Sequence, residues 1–169
     1  MIRLSLVRCQ ATAPMDPSQF RRACAKFATG VAIATITGPG GVPHGMTINS
    51  FTSVSLDPPL VLICSDRSGN LASMFRECNF YGVNVLSQSQ RELSNRFALR
   101  GHDRFDGVEW RAGRTGVPLI AGCLAWFECE VKHRVESGDH TILVAEVLDA
   151  GLGDGKPLLY FESGYRSIA

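Results

Sequence analysis

The chain has 169 residues, of which 45% are hydrophobic and 20% are charged, and its formal net charge is +1. This length suits one domain with a single sizeable core, and the near-neutral charge provides no overall field for binding nucleic acid or an anionic membrane. No apolar run approaches the ~18 residues that a membrane-spanning helix needs. Composition alone therefore predicts an ordinary globular domain that binds neither nucleic acid nor membrane.

The N-terminal part of the chain divides at about residue 15. Residues 1–15 lack an apolar stretch long enough for a secretory signal, and we interpret them as a leader or flexible arm before a single domain over residues 16–169. Asp16-Pro17 predicts a helix start, because an acidic N-cap precedes a proline at the first helical position. Phe20, Cys24 and Phe27 recur at helical spacing, and the position of Gly30 predicts the end of this helix.

The segment over residues 44–61 carries the strongest local signal. Its apolar residues alternate with short polar ones, which predicts half-buried strands; these apolar residues are Met46, Ile48, Val54 and Leu56. Hydroxyl and amide side chains crowd the same region: Thr47, Asn49, Ser50, Thr52, Ser53 and Ser55. Because buried polar groups need hydrogen-bond partners, this combination suits the wall of a pocket for a large, planar, polar ligand. An exposed strand face beside a Thr/Ser-rich turn is the alternative.

The remaining elements are mostly short strands. We predict strands over residues 31–37, 60–64, 80–86, 125–132, 141–148 and 157–161, a short helix after Ser68-Gly69-Asn70, and a long loop over residues 100–118. Ser87 and Gln90 form a capping box before a helix whose buried side carries Leu93 and Phe97. Since strands and helices do not alternate regularly, the pattern favours a mostly antiparallel barrel or sandwich with a few helices. No Gly-x-Gly-x-x-Gly follows a strand, which gives no support to a Rossmann-type site.

The six cysteines predict free thiols. No Cys-x-x-Cys pair occurs and the four histidines are dispersed, so there is no metal-ligand pattern. The cysteines are Cys9, Cys24, Cys64, Cys78, Cys123 and Cys129. Cys24, Cys64, Cys123 and Cys129 have apolar neighbours in the sequence, and in such surroundings a reduced thiol behaves as a small hydrophobe. We therefore expect a cytoplasmic protein, with a secreted disulfide scaffold as the alternative.

Five segments together resemble the short-chain flavin reductase family, the reductase components of two-component flavin-dependent monooxygenases. They lie in the expected order and cover roughly residues 16–166: residues 44–61, 105–110, 118–126, 138–147, and 157–161 with 164–166. The resemblance implies a mainly β fold, an antiparallel Greek-key split β-barrel that binds flavin and usually forms a homodimer. It also implies a partner monooxygenase.

The resemblance implies a flavin site with three parts. Thr47, Ile48, Asn49 and Ser50 would meet the polar edge of the isoalloxazine, with Ser53 within reach if the strand bends. The turn at Ser65, Asp66, Arg67 and Asn70 would bind the phosphate through a helix N-terminus. An ordinary capped turn is the alternative. Many family members have a longer Ser/Thr-rich stretch at this position than this chain has. Phe97 would approach the same cofactor or lie in the core.

His140, in Gly138-Asp139-His140, is implied to lie at the nicotinamide side of the flavin. It would bind the pyridine nucleotide or stabilise charge on the reduced flavin, and an ordinary turn histidine is the alternative. Tyr165 and Arg166 would close over the nucleotide, or pack at an edge.

The predicted function is therefore an NAD(P)H-dependent flavin reductase. Reduction of flavin is a hydride transfer in which the cofactors supply the chemistry and the protein supplies position and polarity. FMN or FAD, and NADH or NADPH, all remain open. The alternative is an electron carrier or sensor that holds FMN tightly and has no nicotinamide site.

Overall fold

The computed structural model describes residues 14–99, 101 and 104–168. The described part contains three α-helices: α1 (Pro17–Cys24), α2 (Ala72–Glu77) and α3 (Arg91–Ala98). The strands of the described part are β1 (Thr29–Gly30), β2 (Ala32–Thr37), β3 (Pro43–Ile48), β4 (Thr52–Leu56), β5 (Pro59–Asp66), β6 (Phe80–Val85), β7 (Trp110–Ala112), β8 (Pro118–Ile120), β9 (Ala125–Ser137), β10 (His140–Leu152), β11 (Leu159–Phe161) and β12 (Gly164–Arg166). Of the predicted leader, residues 1–15, only residues 14 and 15 are among those described, and Cys9 lies outside them.

Seven strands form one antiparallel sheet in the order β3-β2-β6-β9-β10-β5-β4. The two edge strands, β3 and β4, are consecutive in the chain and only residues 49–51 join them. Because so short a connection must link opposite edges, the sheet curls until its edges approach each other, as in a barrel. Two small sheets, β1-β11-β12 and β7-β8, pack outside it. The predicted mainly β, antiparallel fold with few helices is confirmed.

The core has two parts, and β2 contributes to both because its side chains alternate between the two faces of the sheet. Ala32, Ala34 and Ile36 belong to a cluster inside the curled sheet, while Ile33 belongs to a second cluster that includes Phe97 of α3. Both faces of β2 are therefore covered, and α3 is held against the outer face of the sheet beside β3.

The N-terminal helix is shorter and less buried than the sequence predicts. It ends at Cys24, and Gly30 lies in β1 instead of ending the helix. Phe20 and Cys24 are exposed and Phe27 is 77% exposed, so the helical spacing does not mark a face packed on this chain's own core.

The alternation at the end of the 44–61 segment also predicts the burial of its apolar side chains wrongly. Val54 is 48% exposed and Leu56 is 94% exposed, because β4 is the edge of the sheet and no other described element covers it. The predicted half-buried strand is therefore wrong for this part. The loop predicted over residues 100–118 contains the strand β7.

Several local predictions are confirmed. Ser87 and Gln90 form the capping box before α3, and Phe97 is buried. Cys123 and Cys129 are buried, and burial raises the pKa of the Cys123 thiol to about 11 and that of Cys129 to about 12. The five cysteines of the described part are free: Cys24, Cys64, Cys78, Cys123 and Cys129. No helix in the described ranges has the length and apolar character needed to span a membrane.

Candidate flavin site

The end of β3 and the link to β4 carry the first group of predicted residues. Thr47 donates its hydroxyl hydrogen bond to the carbonyl of Ser94 in α3 over 2.7 Å. Ile48 is buried in the inner core, and Asn49 is exposed. The Ser50 hydroxyl oxygen accepts a hydrogen bond from the backbone N–H of Cys64 over 3.0 Å, so the link is fixed to β5.

A cavity of about 290 Å³ opens on this group. Its lining residues are Val31, Thr47, Ile48, Asn49, Ala98, Tyr160 and Tyr165. The rings of Tyr160 and Tyr165 meet edge to face, with centroids 5.6 Å apart. The cavity thus combines short neutral polar side chains with an aromatic wall, the mixture that suits a polar heteroaromatic ring.

Tyr165 is held from two sides. Its hydroxyl oxygen lies 2.8 Å from that of Ser94, and the guanidinium of Arg91 lies 5.3 Å from the centroid of its ring, within the range of a cation–π contact. Tyr165 therefore bridges the C-terminal hairpin and α3, the helix that also receives the hydrogen bond of Thr47.

A second group of predicted residues lies where β5 ends beside the start of β10. His140 pairs with Asp66 across the two strands, and Ser65 pairs with Thr141. The Asp66 carboxylate accepts hydrogen bonds from the Ser68 N–H over 2.7 Å and from its hydroxyl over 2.8 Å. This is the arrangement of an ordinary capped turn.

The predicted helix start after Ser68-Gly69-Asn70 lies slightly further along the chain. Helix α2 begins at Ala72 and has six residues, with no side-chain cap. The turn is instead anchored to the β9–β10 hairpin: the Arg67 N–H donates to the Asp139 carbonyl over 2.9 Å, and its guanidinium lies 3.5 Å from the Glu136 carboxylate. The predicted phosphate-binding residues therefore lie in a turn that precedes the helix, and not at the helix N-terminus itself.

His140 is oriented by its neighbour. Its Nδ1 lies 2.7 Å from the Asp139 carboxylate, and this hydrogen bond holds the pKa of Asp139 below its ordinary value. An ionised carboxylate accepts the hydrogen of Nδ1, which leaves Nε2 for another partner. The imidazole is 43% exposed, so a ligand has access to it.

The two groups are joined through β5. Ser50 is bonded to Cys64, and Cys64 pairs with Ile142, two residues after His140 on β10. Two residues of strand span roughly 7 Å. The structure therefore brings the Thr47–Ser50 segment and His140 to one end of the barrel, although His140 does not line the tyrosine cavity.

Ser65 provides a test of whether this region suits a bound polar ligand. It is 3% exposed, and its hydroxyl has no hydrogen-bond partner. Buried polar groups are nearly always bonded to protein, water or ligand. Ser65 shares the inner face of β5 with Val61 and Ile63, so its hydroxyl does not point toward His140. The lining of the tyrosine cavity, with Thr47, Asn49 and the two tyrosines, is what fits a flavin ring.

Three predicted residues belong to neither of the two groups described above. Ser53 is on the exposed edge strand β4. Phe97 is 1% exposed in the outer core, where its ring centroid lies 5.0 Å from that of Phe105, so the core alternative describes its position. Asn70 lines a separate cleft beside the first half of β3.

Sequence reasoning missed Tyr160 and Ser94. A signal for Tyr160 exists: Tyr160 and Tyr165 flank a tight hairpin at Glu162-Ser163, where both loop residues have positive φ, so the tyrosines are cross-strand neighbours. No comparable pattern marks Ser94, whose contacts with Thr47 and Tyr165 are distant in sequence.

The model of the flavin reductase like domain matches residues 24–169, most of the chain and both groups of site residues. The chain belongs to this flavin reductase family. An FMN reductase (NADH) of Agrobacterium fabrum is 48% identical over 141 residues, covering 83% of this chain and 80% of the relative. A probable flavin reductase of Rhizobium meliloti is 42% identical over 150 residues, covering 89% of this chain but only 48% of the relative. The chain thus spans about half the length of that relative.

Solved structures agree with this membership. An NADH:FAD oxidoreductase of Streptomyces globisporus, in complex with NAD and FAD fragments, superposes with a TM-score of 0.86 at 39% identity and covers 94% of this chain and 98% of that one. The reductase component of a 4-nitrophenol 4-monooxygenase/4-nitrocatechol 2-monooxygenase from Rhodococcus opacus is 36% identical over 152 residues, which cover 90% of this chain and 81% of the relative. The predicted family and split-barrel fold are confirmed, and the names of the relatives favour the reductase over the electron-carrier alternative.

Proposed function

We propose that this chain is an NAD(P)H-dependent flavin reductase that reduces FMN or FAD and releases the reduced flavin. The observation that carries the proposal is the meeting of the Thr47–Ser50 segment and His140 at one end of the barrel, joined through Cys64 and Ile142. A flavin bound there supplies the ring that accepts a hydride from the nicotinamide. The names of the relatives cited above support this reaction.

The roles of the individual residues are part of the proposal. Thr47, Ile48 and Asn49 bind the ring through a wall of neutral groups, while Tyr160 and Tyr165 exclude water from its other side. His140, held by Asp139, binds the nicotinamide nucleotide through Nε2. Orientation of the two reactants supplies most of the catalysis in such a site. We retain the remaining predicted contacts as proposals: Ser50, Ser53, Ser65, Asp66, Arg67, Asn70 and Phe97.

The biological context extends the proposal. We infer that the reduced flavin serves a separate monooxygenase, because relatives include reductase components of such systems. A neutral binding wall suits release of the product, since it holds no dense charged clamp. We also infer a homodimer, and a cytoplasmic location that agrees with the free thiols of the described cysteines.

The proposal is tested by mixing the purified protein with each reduced nicotinamide nucleotide and each flavin, and following nucleotide oxidation by absorbance. We expect turnover well above the protein-free rate with at least one pair. Gel filtration of the protein after incubation with flavin distinguishes release from retention. No oxidation above the protein-free rate with any of the four pairs would contradict the reductase function.

A further inference from the structure

A cavity of about 340 Å³ has both tryptophans of the chain, Trp110 and Trp126, in its lining. Leu152 also lines it and is the last residue of β10, whereas His140 is the first. Twelve residues of strand, roughly 40 Å, therefore separate the cavity from the residue proposed to bind the nicotinamide nucleotide. None of the residues assigned above to the flavin site belongs to this lining, so the indole cavity is a separate feature of the fold.

The indole cavity has an apolar floor and aromatic walls. Its floor consists of Leu119, Ile120 and Cys123, which line it and are buried. Trp110 is 36% exposed, and its ring meets that of Phe105 edge to face, with centroids 5.9 Å apart. A concave site of this size, with an apolar floor and a few polar groups, is typical of small-molecule binding.

Trp126 is held in place by two contacts. It pairs with Gly151 across β9 and β10, and a Cβ atom added at Gly151 would lie 2.5 Å from three atoms of the indole. The missing side chain of Gly151 thus lets the ring lie directly against the backbone of β10. The guanidinium carbon of Arg111 lies 4.6 Å from the centroid of the Trp126 ring, within the range of a cation–π contact. These contacts fix the orientation of the indole.

Arg111 supplies hydrogen-bond donors to the indole cavity. A guanidinium that stacks on a ring keeps its N–H groups in its own plane, where they can donate to a ligand. Glu109 and Asp154 line the same cavity and are exposed. Neither of these two described carboxylates forms an ion pair with Arg111. The cavity therefore places one cation and two carboxylates around an apolar floor.

We propose that the indole cavity binds small, planar, uncharged aromatic compounds that carry a carbonyl oxygen. The apolar floor and the two indoles fit a flat ring, and the guanidinium of Arg111 donates to the carbonyl. An anionic ligand would be repelled by Glu109 and Asp154, and a cationic ligand in contact with Arg111 would be repelled by the guanidinium. The charges around the cavity therefore favour an uncharged ligand. This proposal goes beyond the flavin reductase function and does not depend on it.

The test uses benzamide as the probe and tryptophan fluorescence as the readout, because both tryptophans of the chain line the cavity. Three compounds of similar size are the matched ligands: benzoate carries a negative charge, benzylamine carries a positive charge, and cyclohexanecarboxamide lacks the planar ring. With the wild type, we expect benzamide to change the emission saturably and to bind at least fivefold more tightly than each of the three. FMN should not displace it.

A second measurement is isothermal titration calorimetry with Arg111→Met, which removes the N–H donors and keeps an unbranched apolar side chain. We expect the Kd of benzamide to rise at least fivefold. Arg22→Met is the matched variant, because Arg22 is exposed on α1 and does not line the cavity; it should leave the Kd unchanged. No saturable binding of benzamide to the wild type, equal binding of benzamide and any of the three matched compounds, displacement by FMN, or an unchanged Kd in Arg111→Met would each overturn the proposal.

Discussion

The hydroxyl oxygens of Ser94 and Tyr165 lie 2.8 Å apart, and the carbonyl of the same Ser94 accepts the hydrogen bond of Thr47. One residue of α3 therefore contacts both sides of the tyrosine cavity: the strand that carries the candidate flavin wall and the C-terminal hairpin. This arrangement makes Tyr165 a positioning residue as well as a wall residue, because it holds the helix on which Thr47 depends.

Tyr165→Phe removes the hydroxyl and keeps the ring. A typical hydrogen bond contributes about 1 kcal/mol, so we expect flavin affinity to fall roughly fivefold without loss of folding. Ser94→Ala removes the other partner and should give a similar change. In the double variant the two effects should not add, because both remove one interaction. Fluorescence titration of flavin measures all three, and full additivity or an unchanged Kd in Tyr165→Phe would contradict the link.

His140→Ala removes the imidazole that Asp139 orients over 2.7 Å. Because His140 is proposed to contact the nicotinamide nucleotide, we expect kcat/KM for the reduced nucleotide to fall about tenfold, or ~1.4 kcal/mol, while the Kd of flavin changes little. Asp139→Asn keeps the imidazole but weakens its orientation, so its effect should be smaller. Steady-state kinetics with both variants measure this, and wild-type kinetics in His140→Ala would remove the assignment.

The sequence predicted the strands and the capping box, and it led to the proposal of the flavin wall, because those signals are local. Alternation of apolar residues, the Ser87–Gln90 pair and the crowding of hydroxyls at Thr47–Ser50 can all be recognised within a few positions. It failed where burial depends on which strand lies at an edge. Leu56 has the pattern of a half-buried strand residue, yet among the described strands β4 pairs with β5 alone and its other side is an edge of the sheet.

The same distinction holds at the site. His140 and Ser50 were predicted separately, but only strand pairing shows that Cys64 and Ile142 connect them. The role of Glu128 was also hidden. It lies between Phe127 and Cys129 in the strand predicted over residues 125–132, where a charged side chain is normally exposed. In the structure it is 1% exposed and accepts hydrogen bonds from the backbone N–H groups of Arg114 and Thr115.

Glu128→Gln tests this buried carboxylate. Desolvation alone would raise the pKa of Glu128, but the hydrogen bonds from Thr115 and Arg114 outweigh it, and the pKa is lowered. A carboxyl group whose pKa is lower in the folded state stabilises the fold above its unfolded pKa of about 4.3, and this contribution is lost as pH falls through the folded value. We expect the variant to be less stable by about 1–3 kcal/mol at pH 7.

The measurement is chemical denaturation at pH 7 and below pH 4. The difference between wild type and Glu128→Gln should shrink on acidification, because protonation of Glu128 removes the same charge in the wild type. Glu109→Gln, at an exposed position, is the control and should show little difference at either pH. A difference that stays constant with pH would mean that the charge of Glu128 does not contribute.

The proposed homodimer leads to a last prediction, on the exposed apolar residues of β4 and β10. Leu56 is 94% exposed and Leu152 is 92% exposed, and each lies on a strand of the main sheet. Burying such side chains in an interface is favourable by roughly 1.5–3 kcal/mol each, so we expect Leu56→Asp to shift the protein toward monomer. Sedimentation velocity over a range of concentrations measures the shift, and Leu152→Asp tests the second strand independently. A wild type that sediments as a monomer at every concentration would exclude the dimer, and a dimer unaffected by both variants would place its interface elsewhere.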